Sequence, residues 1–166
     1  MEKSPVLVTG ATGYVGGRLI PALLESGYHV RAMARRLDKL NARPWASHPH
    51  VEAAEADVFD PMSLARAAAG CRRAFYLIHS MIAQQTKYAE ADRSAAHNMV
   101  KAAVDAGMER IIYLGGLAGE TGKPLSQHLR SRTEVARILQ NGPVPVTVLR
   151  APMILGSGSA SFEILR

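Results

Sequence analysis

The chain has 166 residues, 48% hydrophobic and 20% charged, proportions that fit one folded domain with a sizeable core and exclude intrinsic disorder and collagen-like sequence. Lys and Arg number 20 against 14 Asp and Glu, a formal charge of +6 that favours an anionic partner, whether nucleic acid, lipid headgroups or a small phosphorylated molecule. The single cysteine, Cys71, excludes an intramolecular disulfide and a Cys-only metal cluster and fits a reducing compartment.

The six histidines show no ligand spacing, so no metal site is expected. The sequence from Met1 leads straight into an apolar run too short for a signal-peptide core or a membrane span, and the expected location is cytoplasmic. Ser161 to Arg166 reads as the first turn of a helix, so the expectation is one domain over 1–166 cut before a further C-terminal region.

Apolar runs of strand length alternate with longer amphipathic segments. Val6 to Thr9 is the first strand, and Gly10 to Gly17 turns into a helix from about Tyr14 to Ser26, closed by Gly27. His29 to Ala34 is the second strand, and Asn41 to His50, with two prolines and the only tryptophan, reads as a loop. Val51 to Ala56 is a third strand, Pro61 opens a helix through Ala69 that Gly70 stops, and Ala74 to Ile78 is the fourth strand. A long helix from about Lys87 to Ala106 ends at Gly107, and Arg110 to Leu114 is the fifth strand. A helix from about Ser126 to Gln140 ends at Asn141-Gly142-Pro143, and Val146 to Leu149 is the sixth strand. Strands alternating with helices imply repeated right-handed βαβ crossovers. The expected fold class is therefore α/β, a doubly wound parallel sheet.

Gly10-Ala11-Thr12-Gly13-Tyr14-Val15-Gly16 places glycines three apart between the first strand and the first helix. Gly10 suits a tight turn, Gly13 lets backbone N–H groups approach a pyrophosphate, and Gly16 lets the helix pack closely on the sheet. Gly10, Thr12, Gly13, Tyr14, Val15 and Gly16 are accordingly the expected dinucleotide contacts, with the helix N-terminus facing the phosphates. An acid at the end of the second strand would accept from a ribose 2′-hydroxyl. Here Ala34-Arg35-Arg36 stands instead, and an arginine fork matches a 2′-phosphate, so NADP is expected before NAD. One arginine of the pair is expected to be merely solvated. Asp57-Val58, after the third strand, is positioned to meet an adenine ring, with a turn or capping role for Asp57 as the other reading.

Thr9 to Gly17, Arg35, Asp57-Val58 and Ile111-Ile112-Tyr113-Leu114-Gly115-Gly116 together resemble the extended and atypical short-chain dehydrogenase/reductases, over nearly the whole chain. Leu125 to Arg132 and Leu149 to Glu163 further resemble bacterial atypical NAD(P)H-binding members. The resemblance implies a Rossmann sheet ordered 3-2-1-4-5-6, with cofactor across the switch point between the first and fourth strands, and a substrate site built largely by a later region.

The resemblance also implies a Tyr-x-x-x-Lys pair, in which tyrosine moves the proton and lysine lowers its pKa and holds the nicotinamide ribose. This chain has His128-Leu129-Arg130-Ser131-Arg132 in that register, and Gly115-Gly116 where the family carries a hydroxyl after the fifth strand. His128 is then the candidate proton donor, since an unperturbed imidazole titrates at about 6.5. Arg132, the candidate for the lysine position, keeps its charge but spreads it over a plane. Arg132 would lower the His128 pKa and cofactor phosphates would raise it. The competing reading makes His128 a surface residue and pairs Arg132 with solvent or Glu134.

His79-Ser80-Met81, after the fourth strand, lies where ligands bind in such sheets, and is expected to meet the nicotinamide ribose. Asn98 reads as a buried structural residue bonding the backbone of a neighbouring strand. Tyr88 and Tyr113 lack a lysine four residues on, and Tyr113 falls inside a strand. The basic residues are scattered, without aromatic interleaving or a recognition helix, which argues against nucleic acid. Two function classes follow: an NADP-dependent oxidoreductase acting on an unknown small carbonyl or hydroxyl compound, or a non-catalytic NADP-binding redox sensor or assembly module. A homo-oligomer is left open, since apolar surface that a missing region would cover lets such a domain self-associate without reflecting a native assembly.

Overall fold

The computed structural model describes residues 4–79, 87–117, 126–152, 154–157 and 159, with the side chains of 87 and 88 left aside. Its elements run β1 (Val6–Thr9), α1 (Tyr14–Glu25), β2 (Val30–Ala34), α2 (Leu37–Asn41), β3 (Val51–Glu55), α3 (Pro61–Ala68), β4 (Arg73–Tyr76), α4 (Lys87–Asp105), β5 (Arg110–Gly116), α5 (Gln127–Gln140) and β6 (Val146–Ala151). The strands form one parallel six-stranded sheet in the order β3-β2-β1-β4-β5-β6. This is the doubly wound Rossmann arrangement expected from the alternating pattern.

Both faces of the sheet are covered, which is why β1 reads as an unbroken apolar run rather than an alternating one. Leu7 faces a core shared with Met33, Tyr76, Ile111 and Tyr113 and closed by α3, α4 and α5 through Leu64, Met99 and Leu139. Val8 faces the opposite core with Val30 and Ala32, closed by Ile20 of α1, Leu40 of α2 and Trp45. The small α2 was not expected: five residues are too few for a helical period to show, yet its Leu40 is fully buried. α1 also runs through Pro21, at the loss of one intrahelical hydrogen bond.

Strand ends differ from the sequence reading where pairing decides them. β5 and β6 run on to Gly116 and Ala151 because these residues still pair with each other. β4 instead starts at Arg73 and stops at Tyr76, short of Ile78. The cause is Thr9, fully buried, whose hydroxyl donates to Phe75 O at 3.2 Å and accepts from Leu77 N at 3.1 Å. A side chain thus takes over where the β1–β4 ladder ends at Val8↔Phe75. The strand order reverses between β1 and β4, which makes this the switch point of the sheet, where ligands bind in such folds. No helix among the described residues is long and apolar enough to cross a membrane.

Candidate functional site

The glycine-rich turn follows β1 directly. Gly10 has φ +68°, a conformation open to glycine and strained for most other residues. Ala11 N then donates to Met33 O and Gly13 N to Gly10 O, at 3.2 and 2.9 Å. A Cβ on Gly16 would strike the Gly10 carbonyl oxygen and lie 2.9 Å from Ala11 Cα, so α1 seats on the turn only with glycine there.

Gly13 is the N-cap of α1 and offers no side-chain cap, and no acid stands in the first turn. By contrast, Asp60 accepts from Met62 N at the start of α3 and Ser126 from Leu129 N at the start of α5. The α1 terminus, with Tyr14 and Val15 in its first turn, is therefore left for an anion, where its partial positive charge favours one.

Thr12, Gly13, Tyr14, Gly17, Arg18 and Arg43 line a cavity on this turn. Arg43, from the loop after α2, donates to Thr12 O. Arg18 lies over the Tyr14 ring, 3.8 Å from its centroid, and donates to Ser157 O at 2.8 Å. Sequence reasoning missed both arginines, because neither lies in the glycine motif's own pattern; only their count in a basic chain hinted at them.

At the end of β2, Arg35 and Arg36 are both exposed but differ. Arg36 Nε donates to Asp38 Oδ1 at 2.9 Å, and that pairing holds the Asp38 carboxyl below its usual range. Arg35 makes no hydrogen bond or ion pair among the described residues. Asp57 and Val58 follow β3. Asp57 Oδ1 accepts from Phe59 N at 3.0 Å, the turn role its sequence also allowed, and Val58 is buried with its carbonyl accepting from Asn98 Nδ2 at 2.8 Å. Asn98 is thus structural, bonding a loop rather than a strand.

The second group lies at the carboxyl edge of β4 and β5, against α5. Arg132 Nη2 donates to His79 Nδ1 at 3.1 Å, and the His79 and His128 rings meet edge to face with centroids 6.0 Å apart. The structure therefore joins His79 to His128 and Arg132, which the sequence placed in a separate segment. Ser80 and Met81 lie outside the described residues, as do the Tyr88 side chain, Leu125 and the segment from Ser161 to Arg166.

Burial, then the Arg132 charge and then His128, push His79 down to about 4. It is neutral at pH 7. His128 is pushed down as well, by burial first and Arg132 second, with Asp92 opposing. This gives the sign that the sequence left open. Glu134, the alternative partner for Arg132, pairs with Arg93 at 2.9 Å instead.

Tyr113 is buried within β5, and its hydroxyl donates to Arg132 O at 3.4 Å. Burial raises its pKa to about 12, so it is a poor proton donor. At Gly116 a Cβ would lie 2.8 Å from Leu129 Cδ2 and 3.3 Å from Arg132 Cδ. Side chains of α5 occupy the space into which a hydroxyl-bearing residue would project. No group of three or more His, Cys, Asp or Glu among the described residues could hold a metal ion.

The switch point between β1 and β4, the uncapped α1 terminus and the glycine cradle define a Rossmann dinucleotide-binding protein. Residues 10–165 match the family described as NAD(P)H-binding, and the chain belongs to that family, within the extended short-chain dehydrogenase/reductase group that its sequence resembles. Cinnamoyl-CoA reductase 1 of Oryza sativa subsp. japonica is 33% identical over 116 residues, which cover 68% of this chain and 34% of that protein. The 3 beta-hydroxysteroid dehydrogenase/Delta 5-->4-isomerase of Mycobacterium tuberculosis (strain ATCC 25618 / H37Rv) is 31% identical over 121 residues, covering 68% and 31%. The chain thus spans about a third of the length of these curated relatives. The Citrobacter sp. triphenylmethane reductase complexed with NADP(H) superposes with a TM-score of 0.73 at 25% identity, over 90% of this chain and 50% of that one.

Proposed function

We propose that this chain binds NADP(H) across the β1–β4 crevice and serves the interconversion of a small carbonyl compound and its alcohol, with His128 moving the proton. The observation that carries the cofactor choice is Arg35, exposed and unpaired among the described residues while its neighbour Arg36 is held by Asp38. A guanidinium in that state is free to pair with a 2′-phosphate. The NADP(H) complex of the Citrobacter reductase supports the same choice, and the lack of an acid at the end of β2 argues against NAD.

In this reading the backbone of Gly10, Thr12, Gly13, Tyr14, Val15 and Gly16 holds the pyrophosphate. Arg35 takes the 2′-phosphate, with Arg36 as a screened second charge. Asp57 and Val58 border the adenine, and His79, Ser80 and Met81 border the nicotinamide ribose. When bound, NADPH supplies a hydride to the carbonyl carbon. The carbonyl oxygen then needs a proton, and His128 is the group at hand. Its depressed pKa makes its imidazolium a stronger acid than free histidine but a scarcer one at pH 7. Reduction is therefore expected to quicken as pH falls below neutrality, and oxidation, served by the neutral base, to favour higher pH.

Calorimetric titration with NADPH and NADH tests the cofactor. Arg35→Ala is expected to weaken NADPH by about ten-fold or more, the value of a hydrogen bond to a charged group, while leaving NADH unchanged. Equal loss for both cofactors would sink the assignment. A second reading, a non-catalytic NADP-dependent sensor or assembly module, is favoured by one observation: both imidazoles are held neutral, so no charged acid stands ready at pH 7. Turnover over a carbonyl panel separates the two, since a His128→Phe chain that keeps full turnover removes His128 as the acid, and no turnover by a full-length version that carries the later substrate-binding region favours the sensor.

A further inference from the structure

Most arginines with described partners are matched to acids: Arg31 to Glu52, Arg36 to Asp38, Arg72 and Arg73 to Glu109, and Arg93 to Glu134. Arg132 is not. It is half-buried, its Nη2 donates to the neutral His79 ring, and its Nε is buried without a hydrogen-bond partner among the described residues. Among those residues no carboxylate pairs with it. The acid of the cluster, Asp92, accepts from Ser131 Oγ at 2.8 Å. Half out of water, the guanidinium has a neutral imidazole as its described side-chain partner and Asp92 only as a charge nearby, so it has lost part of its hydration without gaining a directly paired opposing charge. A ligand anion would supply it through Nη1, which has no partner among the described residues, since Nε is buried from a docking group and Nη2 holds His79; the guanidinium keeps its full charge for that contact.

We propose that the face formed by Arg132 and His128 receives a carboxylate of the substrate, so that the compound turned over is a small oxo acid or hydroxy acid rather than a neutral ketone or alcohol. This rests on the carbonyl–alcohol reading above and narrows it to a substrate class. The carboxylate docks on Arg132 beside His128, and the chain's net positive charge favours approach of such anions. The arginine in place of lysine is then a change of task, from tuning a phenol to holding a substrate group.

The test uses the full chain, isotope-labelled on histidine, and two probes that no hydride can reduce under the assay: oxamate, which carries a carboxylate, and oxamide, its neutral counterpart. NMR of the His79 and His128 rings reads binding, and NADPH fluorescence in the same samples reads cofactor binding. Oxamate is expected to bind about ten-fold or more tighter than oxamide and to raise the pH midpoint of His128, as a nearby anion must. Arg132→Gln is expected to erase the difference and Arg132→Lys to keep part of it. The shift in midpoint within the unaltered chain decides the matter if the glutamine variant does not fold. Equal binding of the two probes, no response to oxamate, or a difference that survives Arg132→Gln overturns the proposal. NADPH binding without discrimination overturns the carboxylate site and leaves the oxidoreductase reading standing. Discrimination without NADPH binding does the reverse.

Discussion

The glycine turn and the β4–β5–α5 pocket stand at the same edge of the sheet but are built from different materials. The turn works through backbone: Gly10 and Gly16 allow close approach, and the first N–H groups of α1 are left uncapped. The pocket works through side chains, with Arg132 reaching His79 and lying over Gly116. A backbone-built site tolerates few sequences, because the obstruction to change is main chain that cannot move aside. A side-chain-built site can be refilled, and here His128, Arg132 and Gly116 stand where the resemblance implies tyrosine, lysine and a hydroxyl.

The contrast is sharpest under substitution of one methyl group. Gly16→Ala would set a Cβ against the Gly10 carbonyl and 2.9 Å from Ala11 Cα. Neither atom yields without moving the turn, so the expected cost is about 3 kcal/mol, the upper part of the range for overpacking. Urea unfolding measures it, and NADPH binding should fall with it. A chain with unchanged midpoint and affinity would mean that the turn is softer than its geometry.

Acid probes the pocket more than the turn. His79 titrates at about 4 when folded, against 6.5 for the free side chain. Its contribution is therefore fully present above about pH 6.5 and is lost as pH falls toward 4, since the unfolded chain binds the proton first. His128, also depressed, adds in the same sense. The expected loss from His79 is about 2 kcal/mol, less than the full shift would give because water still reaches part of the site. Unfolding midpoints from pH 7 to 4.5 should fall more steeply in the unaltered chain than in His79→Gln. Parallel profiles would remove His79 from the account.

The two regions were legible to different degrees for the same reason. Glycine spacing, strand and helix order, and Arg35 at the end of β2 are local patterns, and the sheet order is the one that the family resemblance implies. Thr9 was visible only as part of a motif; its role in taking over from the β1–β4 ladder depends on Phe75 and Leu77, over sixty residues away along the chain. The Arg132–His79 contact spans 53 positions, and no spacing rule joins a loop after β4 to the second turn of α5. Arg18 and Arg43 were hidden likewise: Arg18, in α1, is fixed by Ser157 of the segment after β6, and Arg43 reaches Thr12 from the loop after α2. The sign of the His128 shift needed burial, which sequence does not report.

Gly116→Ala is the smallest and most direct test of the contrast. Its Cβ would meet Leu129 Cδ2 at 2.8 Å and Arg132 Cδ at 3.3 Å, closer than ordinary contact though less close than at Gly16. Both atoms, however, belong to flexible side chains on one face of α5, and each has rotamers to move through. The expected cost is about 1 kcal/mol or less. The displaced Arg132 should also loosen its hold on His79, so that the His79 ring titrates at a higher pH than in the unaltered chain. A loss as large as that of Gly16→Ala would mean that the pocket is as rigid as the turn. The replacement of the family's proton-transfer pair would then require a coordinated change of backbone as well as of side chains.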